Sequence, residues 1–585
     1  MSCEYLKERT ARPATPAGAR SSARFLAEDP IFRSTTLDKK THAGQAIVDS
    51  LALHGVDRVF AVPGESYLAV LDGLHGADIE TIVCRQEGGA AYMAEAHGKF
   101  TGEPGVAMVT RGPGAANAYV AIHAAWQDAT PMVLFVGLIP VADRQRESFQ
   151  EFDPNAWFGT QAKRVFVLEE ASRASEVVAE AFFASKSGRP GPVIVGLPED
   201  VITHEFTGAL HPVLTVAEGA VSTAELELIT TALAGAEKPV IFAGGPRWTP
   251  EAAAAVTRFA ETNGIPVIQD WRASDRIPFG SEVYAGALGY GRTQETVRMF
   301  AEADVLLAIG ALPTDVPTDG YKIRQSMDAT NIVVNIDTTL RGRSGAVTAH
   351  ILASPVAFAD AVKDVQLGKS AQWDAWRAAG RAAQAAFSAL PDLATLPATR
   401  EGTGHMSAVI AELVRRLPED AVYSFGAGNH CAWAQTYLPT NVFPSQLSMR
   451  NGSMGYSVPA AVAASLQSPE RLAVAVAGDG EFLMNGQEFA TAVQYGAAML
   501  IIVMDNGQYG TIRDHQEHHF PGRVSGTQLS NPDFAAYARA FGGHGETITS
   551  DDDAAIAVER ALKAVQDQWI PAIIHVITDP QIALP

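Results

Sequence analysis

From Thr41 onward, short uninterrupted apolar runs alternate with longer segments in which apolar residues return every third or fourth position. RVFAV, TIVC, VAMVT, PMVLFVG and PVIVGLP read as strands apolar on both faces, with AIVDSLALHG and GGAAYMAEAHGKFTG as helices among them. The same rhythm returns in PVIFAGG, IPVIQD, VLLAIG and IVVNID, and again in VYSFGAG, RLAVAVAGDG, MLIIVMDNG and AIIHVIT. Strands that take turns with helices predict parallel sheets covered by helices on both faces. The fold class expected is therefore α/β, as three doubly wound parallel-sheet domains.

Proline-bearing LHPVLT separates a first domain, 41–210, from a second, 216–364. Residues 365–403 hold an alanine-rich helix and then LPDLATLPATREGTG, which reads as a linker crossing the surface before a third domain at 404–585. Three units agree with a chain of 585 residues, too long for one hydrophobic core. Residues 1–40 lack apolar periodicity and read as a flexible N-terminal extension. A transit peptide is the alternative reading there, against which Glu4 and Glu8 count.

A formal charge of −21 argues against nucleic-acid or anionic-membrane partners, which favour basic surfaces. A phosphorylated ligand would have to be held locally, by a metal ion or by backbone amides. Cys3, Cys84 and Cys431 form no CxxC pair, so neither a disulfide framework nor a zinc site is indicated, and a reducing, cytoplasmic setting is expected. No apolar run approaches the roughly 20 residues that span a bilayer.

Against that background, VAVAGDGEFLMNGQEF carries an anomaly: an apolar strand leaves directly into Gly478, Asp479 and Gly480. A carboxylate at such an exit is costly unless a cation or hydrogen-bond donors receive it. One crossover later MLIIVMDNGQYG delivers Asp505, Asn506 and Gly507 to the same sheet edge, since parallel strands joined by a helix finish on one side. Oxygen ligands beside glycine turns suit magnesium, which commonly bridges one or two protein groups to phosphates. The ligand set expected is the Asp479 carboxylate, the Asn506 side-chain oxygen and the Gln508 backbone carbonyl. A pair of ordinary strand-end turns, with Asp479 capping a helix, is the alternative.

GDGEFLMNGQEFATAVQYGAAMLIIVMDNGQYG resembles the thiamin diphosphate signature of the acetohydroxyacid synthase and 2-oxo-acid decarboxylase superfamily, with Asp505 where the first asparagine of a pair usually stands. Other segments are similar to that superfamily in chain order. VCRQEGGAAYMAEAHGKFTG places Glu87 as the residue that activates the aminopyrimidine ring, with a surface glutamate at a helix start as its alternative. FAVPGESYLAVLDGL resembles the first active-site loop, and SFQEFDPNAWFG the segment with the active-site glutamine, here Gln150. SFGAGNHCAW looks like the diphosphate-contacting loop, so Ala427, Gly428, Asn429 and His430 inherit that role; in RNGSMGYSVPAAVAA, Gly452 flanks Met454, the wedge that bends the cofactor.

The resemblance implies a pyrimidine-binding first domain, a central domain and a diphosphate-binding third domain, with thiamin diphosphate and Mg2+ as cofactors. It also implies a homodimer or homotetramer whose active sites lie between subunits. The activity expected is decarboxylation of a 2-oxo acid and addition of the product to a second carbonyl, as in acetolactate synthase. A lyase that releases an aldehyde, and a non-catalytic cofactor-binding relative, are the alternatives; retention of Glu87, Asp479 and Asn506 disfavours the last. LPTDV and LGYG replace the synthase's flavin motifs, so FAD binding is not expected. In YGTIRDHQEHHF, His515 stands where the synthase has a tryptophan shaping the second-substrate site, and is a candidate catalytic group; His518 and His519 are weaker ones.

Overall fold

The computed structural model describes residues 41–323, 328–340, 346–368 and 371–582 of the chain. The N-terminal extension expected at 1–40 lies outside the described residues. Three six-stranded sheets organise the rest.

The first sheet comprises β1 (Arg58–Ala61), β2 (Glu80–Val83), β3 (Gly105–Val109), β4 (Met132–Leu138), β5 (Arg164–Val167) and β6 (Pro192–Pro198). The second comprises β7 (Pro239–Ala243), β8 (Val267–Gln269), β9 (Tyr284–Ala287), β10 (Val305–Ile309), β11 (Thr330–Val334) and β12 (Ala349–Ile351). The third comprises β13 (Val422–Ser424), β14 (Gln446–Leu447), β15 (Ala473–Gly478), β16 (Met499–Asp505), β17 (His544–Ile548) and β18 (Ala572–Ile577). Neighbouring strands are parallel in all three.

The outer sheets repeat one topology, β2-β1-β3-β4-β6-β5 and β14-β13-β15-β16-β18-β17, whereas the middle sheet runs β9-β8-β7-β10-β11-β12, the order of a dinucleotide-binding fold. The continuous apolar runs are explained by this burial: every residue of β4 and β6 is buried, because helices cover both faces.

Six helices position the chemistry: α1 (Glu87–Thr101), α2 (Gly112–Asp128), α3 (His430–Tyr437), α4 (Ser457–Gln467), α5 (Asp479–Asn485) and α6 (Gly510–His519). Helix α1 is packed between the first and third domains, and its small residues permit the approach. A Cβ on Gly89 would lie 2.6 Å from Glu488 Oε1, and one on Gly98 2.2 Å from the Pro131 carbonyl oxygen. The alanine-rich helix expected at the start of the 365–403 linker is present. Helix Ala371–Phe387 buries Trp373 and Trp376, whose indoles donate to the carbonyls of Ala236 and Pro239, so it packs onto the middle domain. Two tryptophans on one helix offer more apolar area than an exposed connection would leave in water.

Buried charges join all three domains. Lys99 bonds Asp128 at 2.6 Å and the Ser448 carbonyl at 2.5 Å, and lies 3.2 Å from Glu95, which accepts from Tyr456 at 2.7 Å. Arg450 donates its backbone N–H to Asp128 at 2.9 Å and its guanidinium to Asp270 and Thr314. Lys99→Met would strand the Glu95 and Asp128 carboxylates, whose side chains are 0% and 6% exposed. Breaking a buried pair in this way costs about 3–5 kcal/mol. A clearly lowered thermal unfolding midpoint is expected, and a midpoint equal to wild type would contradict that role.

Candidate active site at the edge of the third sheet

Gly478, the last residue of β15, pairs with Met504 of β16, so GDG and DNG leave the sheet side by side. Asp479 is 3% exposed. Its Oδ1 accepts the Gly480 N–H at 2.9 Å, and its Oδ2 accepts the Asn531 amide at 2.7 Å. The same amide nitrogen donates to Asp505 Oδ1 at 2.8 Å, while Asp505 also accepts the Gly507 N–H at 3.0 Å and lies 2.9 Å from His575 Nε2.

The two acids are thus bridged but not equivalent. Burial, and then the Asp505 charge, push Asp479 up to about 6. Desolvation opposes ionisation of Asp505 as well, but hydrogen bonds from His575, Asn531 and Gly507 outweigh it and hold Asp505 below the usual aspartate value. Asn531 Oδ1 is buried without a hydrogen-bond partner. Such a cluster has acceptor oxygens in excess of donors.

Beside it opens a cleft of about 260 Å³. The 427–430 loop lines it through Ala427, Gly428, Asn429 and His430, and the 452–454 loop through Gly452 and Met454. Gly478, Asp479 and Gly480 form a third wall, and Asn506 and Gln508 a fourth. The Gln508 side chain is engaged elsewhere, donating to the Pro580 carbonyl and accepting from Arg513, each at 2.8 Å. The starts of α3 and α6 border the cleft, bringing the positive ends of two helix dipoles to it. Burial lowers the His430 pKa, so this wall of the cleft carries a neutral imidazole.

A second cluster forms in the first domain. Glu87 opens α1, where the Gln86 side chain caps the helix by accepting from the N–H groups of Gly88 and Gly89. Glu87 Oε2 accepts from Asn117 at 2.8 Å, and a Cβ on Gly114 would lie 3.5 Å from its Oε1. Gln150, at φ +63°, gives its carbonyl to the Gly112 N–H at 3.1 Å, so the start of α2 lies between the two candidates. Arg111, at the same helix start, donates to Glu65 at 2.8 Å and to Glu199.

Residues 41–157, 226–362 and 426–576 match, in that order, the N-terminal TPP binding, central and C-terminal TPP binding domains of the thiamine pyrophosphate enzymes. The chain is 30% identical over 550 residues to the acetolactate synthase isozyme 2 large subunit of Escherichia coli, spanning 92% of this chain and 96% of that protein. It is 30% identical over 569 residues to the acetolactate synthase large subunit of Corynebacterium glutamicum (93% and 88%), and 29% over 558 residues to the acetolactate synthase of Bacillus subtilis (92% and 94%).

The chain belongs to the acetolactate synthase family of thiamine pyrophosphate enzymes. Both clusters therefore lie on the two TPP-binding domains of this family. The residues present suit the cofactor: glycine turns and helix starts face the space a diphosphate needs, and a surplus of acceptor oxygens stands beside it.

The remaining family-derived candidates distribute unevenly. Glu87 and Gln150 share the first-domain cluster, and neither lines the cleft of its own chain. His515 is not brought to the cleft: it is exposed on α6, its ring stacked on His519 with centroids 6.4 Å apart. Thr511 and Ile512, one turn earlier on α6, do border the cleft, although Ile512 is itself 53% exposed. Sequence reasoning missed Glu481, Tyr509, Thr511 and Ile512 in the walls, and Asn531 and His575 behind Asp505. For His575 a signal existed, since a histidine inside the apolar run AIIHVIT needs a polar partner.

Proposed function

We propose that this acetolactate-synthase-like enzyme takes a 2-oxo acid of pyruvate type as donor and joins the decarboxylated fragment to a second carbonyl, in a Mg2+-dependent reaction at a site shared between two copies of the chain. The observation that carries this reading is the separation of the clusters: Glu87 and Gln150 stand on the first domain, outside the cleft that the third domain builds around Asp479. A homodimer, or a tetramer made of two, would bring Glu87 of one copy to the cleft of another.

When bound, thiamin diphosphate supplies a nucleophilic thiazolium carbon and an electron sink for the electrons that carbon dioxide leaves behind. The chain's residues do the rest. Asp479, the Asn506 side chain and the Gln508 carbonyl offer oxygens to Mg2+. The starts of α3 and α6 and the His430 side chain would meet phosphate oxygens. Glu87 would hold a proton at a pyrimidine nitrogen, Met454 would serve as the wedge that bends the cofactor, and Gln150 would offer its amide to substrate.

Flavin is left out of the proposal. Leu312, Thr314, Asp315 and Val316 border a cleft at the ends of β7, β10 and β11 in which Arg450 is already bonded to Asp270 and Arg189 lies 3.6 Å from Asp337. A dinucleotide's pyrophosphate would have to displace those acids. The domain limits 41–210, 216–364 and 404–585 are retained as part of the same proposal, as is a cytoplasmic location, which the buried, unpaired Cys84 and Cys431 support. No helix among the described residues is long and apolar enough to cross a membrane.

The test is incubation of purified protein with pyruvate, thiamin diphosphate and Mg2+, following carbon dioxide and acetolactate together. Equal molar release of both is expected. Aldehyde in place of acetolactate would replace the transferase reading by a lyase, and binding of cofactor without turnover on a panel of 2-oxo acids would overturn catalysis.

A further inference from the structure

The cleft wall carries an acid that the proposed reaction does not use. Glu481, on α5, is 1% exposed. Its Oε1 accepts the N–H groups of Gly455 at 3.0 Å and Ser457 at 3.1 Å. Its Oε2 accepts the Ser457 hydroxyl at 2.8 Å and lies 3.7 Å from His430 Nε2. One turn further on the same face of α5, Asn485 donates its amide to the Gly455 carbonyl at 2.8 Å. One short helix therefore grips both polar groups of the residue that follows Met454.

The surroundings are shaped to this grip. Gly455 has φ +86°, and a Cβ there would meet Asn485 Nδ2 at 2.8 Å and Met484 Cβ at 2.9 Å. A Cβ on Gly426 would lie 2.4 Å from Glu481 Oε1, so glycine makes room for the carboxylate. Burying an acid is costly unless several donors satisfy it, and two backbone N–H groups and a hydroxyl do so here. The helix that supplies the clamp begins with Asp479.

We infer that Glu481 is a positioning residue for Met454: together with Asn485 it clamps the 452–455 loop to α5, so that anchoring of the cofactor's diphosphate end at Asp479 and placement of the wedge beneath its rings form one rigid unit. This rests on the proposed role of Met454. A group acting only as a helix cap would stabilise α4 without regard to the cofactor's geometry.

The test compares Glu481→Ala, Glu481→Gln and Asn485→Ala as full-length holoenzymes, reading thiamin diphosphate affinity in Mg2+ by fluorescence quenching, near-UV circular dichroism of the bound cofactor, and kcat against KM. Glu481→Ala should still bind cofactor and keep KM for pyruvate, yet lose kcat by about tenfold to a hundredfold, the scale of a displacement near 1 Å, with an altered dichroic band. Glutamine retains an acceptor for both N–H groups and should restore most of kcat and the band. Asn485→Ala, which removes the other half of the clamp, should repeat the alanine signature, and decides the matter if Glu481→Ala does not fold. Wild-type kcat and dichroism in both alanine variants, or a glutamine variant as impaired as alanine, would overturn the inference. Faster amide exchange across 452–457 in the cofactor-free Glu481→Ala protein is also expected; unchanged exchange would remove the clamp itself. That arm needs no cofactor, so its outcome is separate from failure of the proposed function, which would show as wild-type protein binding no thiamin diphosphate.

Discussion

Replacing Glu87 by glutamine is expected to leave thiamin diphosphate binding intact and to lower turnover by about 10²- to 10⁴-fold, the usual worth of a positioned acid–base group. The side chain keeps its length, and the Asn117 amide can still be matched by the glutamine carbonyl, so the start of α1 and its Gln86 cap should stand unchanged. What disappears is the carboxylate's ability to hold a proton at a pyrimidine nitrogen. The direct measurement is exchange of the thiazolium carbon's proton for deuterium in the bound cofactor, followed by quenched NMR. Slowed exchange with unaltered affinity is the expected pair of results; exchange at the wild-type rate would remove Glu87 from the chemistry. Because Glu87 lies outside its own chain's cleft, mixing the Glu87→Gln protein with an Asp479→Ala protein should restore part of the activity in heterodimers, each of which retains one complete site.

How far such a site can be read in advance depends on where each residue's partners come from. Gly478 to Gly480 and Asp505 to Gly507 were legible because an apolar run stops at a carboxylate, an expense visible within one strand, and because parallel topology sends both ends to one edge. The alternation of runs announced three parallel sheets but not their strand order, since the middle domain shares the rhythm and differs in order. Glu481 stood in the same quoted stretch yet gave no sign of its role, since Gly455 and Ser457, its partners, arrive from an earlier loop that only the folded sheet brings near. Asn531 likewise reaches Asp479 and Asp505 from a loop beyond α6. A histidine beside a functional motif invited a role for His515, which in the single chain is exposed on α6 and does not line the cleft. In the 365–403 stretch the alanine-rich helix was legible as a helix, but its packing was not, because the partners of Trp373 and Trp376 lie in the middle domain.

Asp479→Ala is expected to abolish Mg2+-dependent binding of thiamin diphosphate while leaving the cofactor-free protein at least as stable as wild type. The second half follows from electrostatics. Folding raises the Asp479 pKa to about 6, through burial and the neighbouring Asp505 charge, so at neutral pH the ionised side chain opposes folding in the absence of a cation. Removing it relieves that opposition, and Asn531 keeps Asp505 as an acceptor for its amide. The first half follows because the same negative charge is what a divalent ion would neutralise between protein and diphosphate. Loss of a direct ligand should exceed the about 10- to 100-fold cost of losing an outer-shell partner. Thermal shift reads both effects together. Wild type should gain about 2.7 kcal/mol at a cofactor concentration 100-fold above its dissociation constant, and the variant nothing. A variant that melts below wild type without cofactor, or that gains as much from cofactor and Mg2+ as wild type does, would show that the acid serves the turn and not the ion.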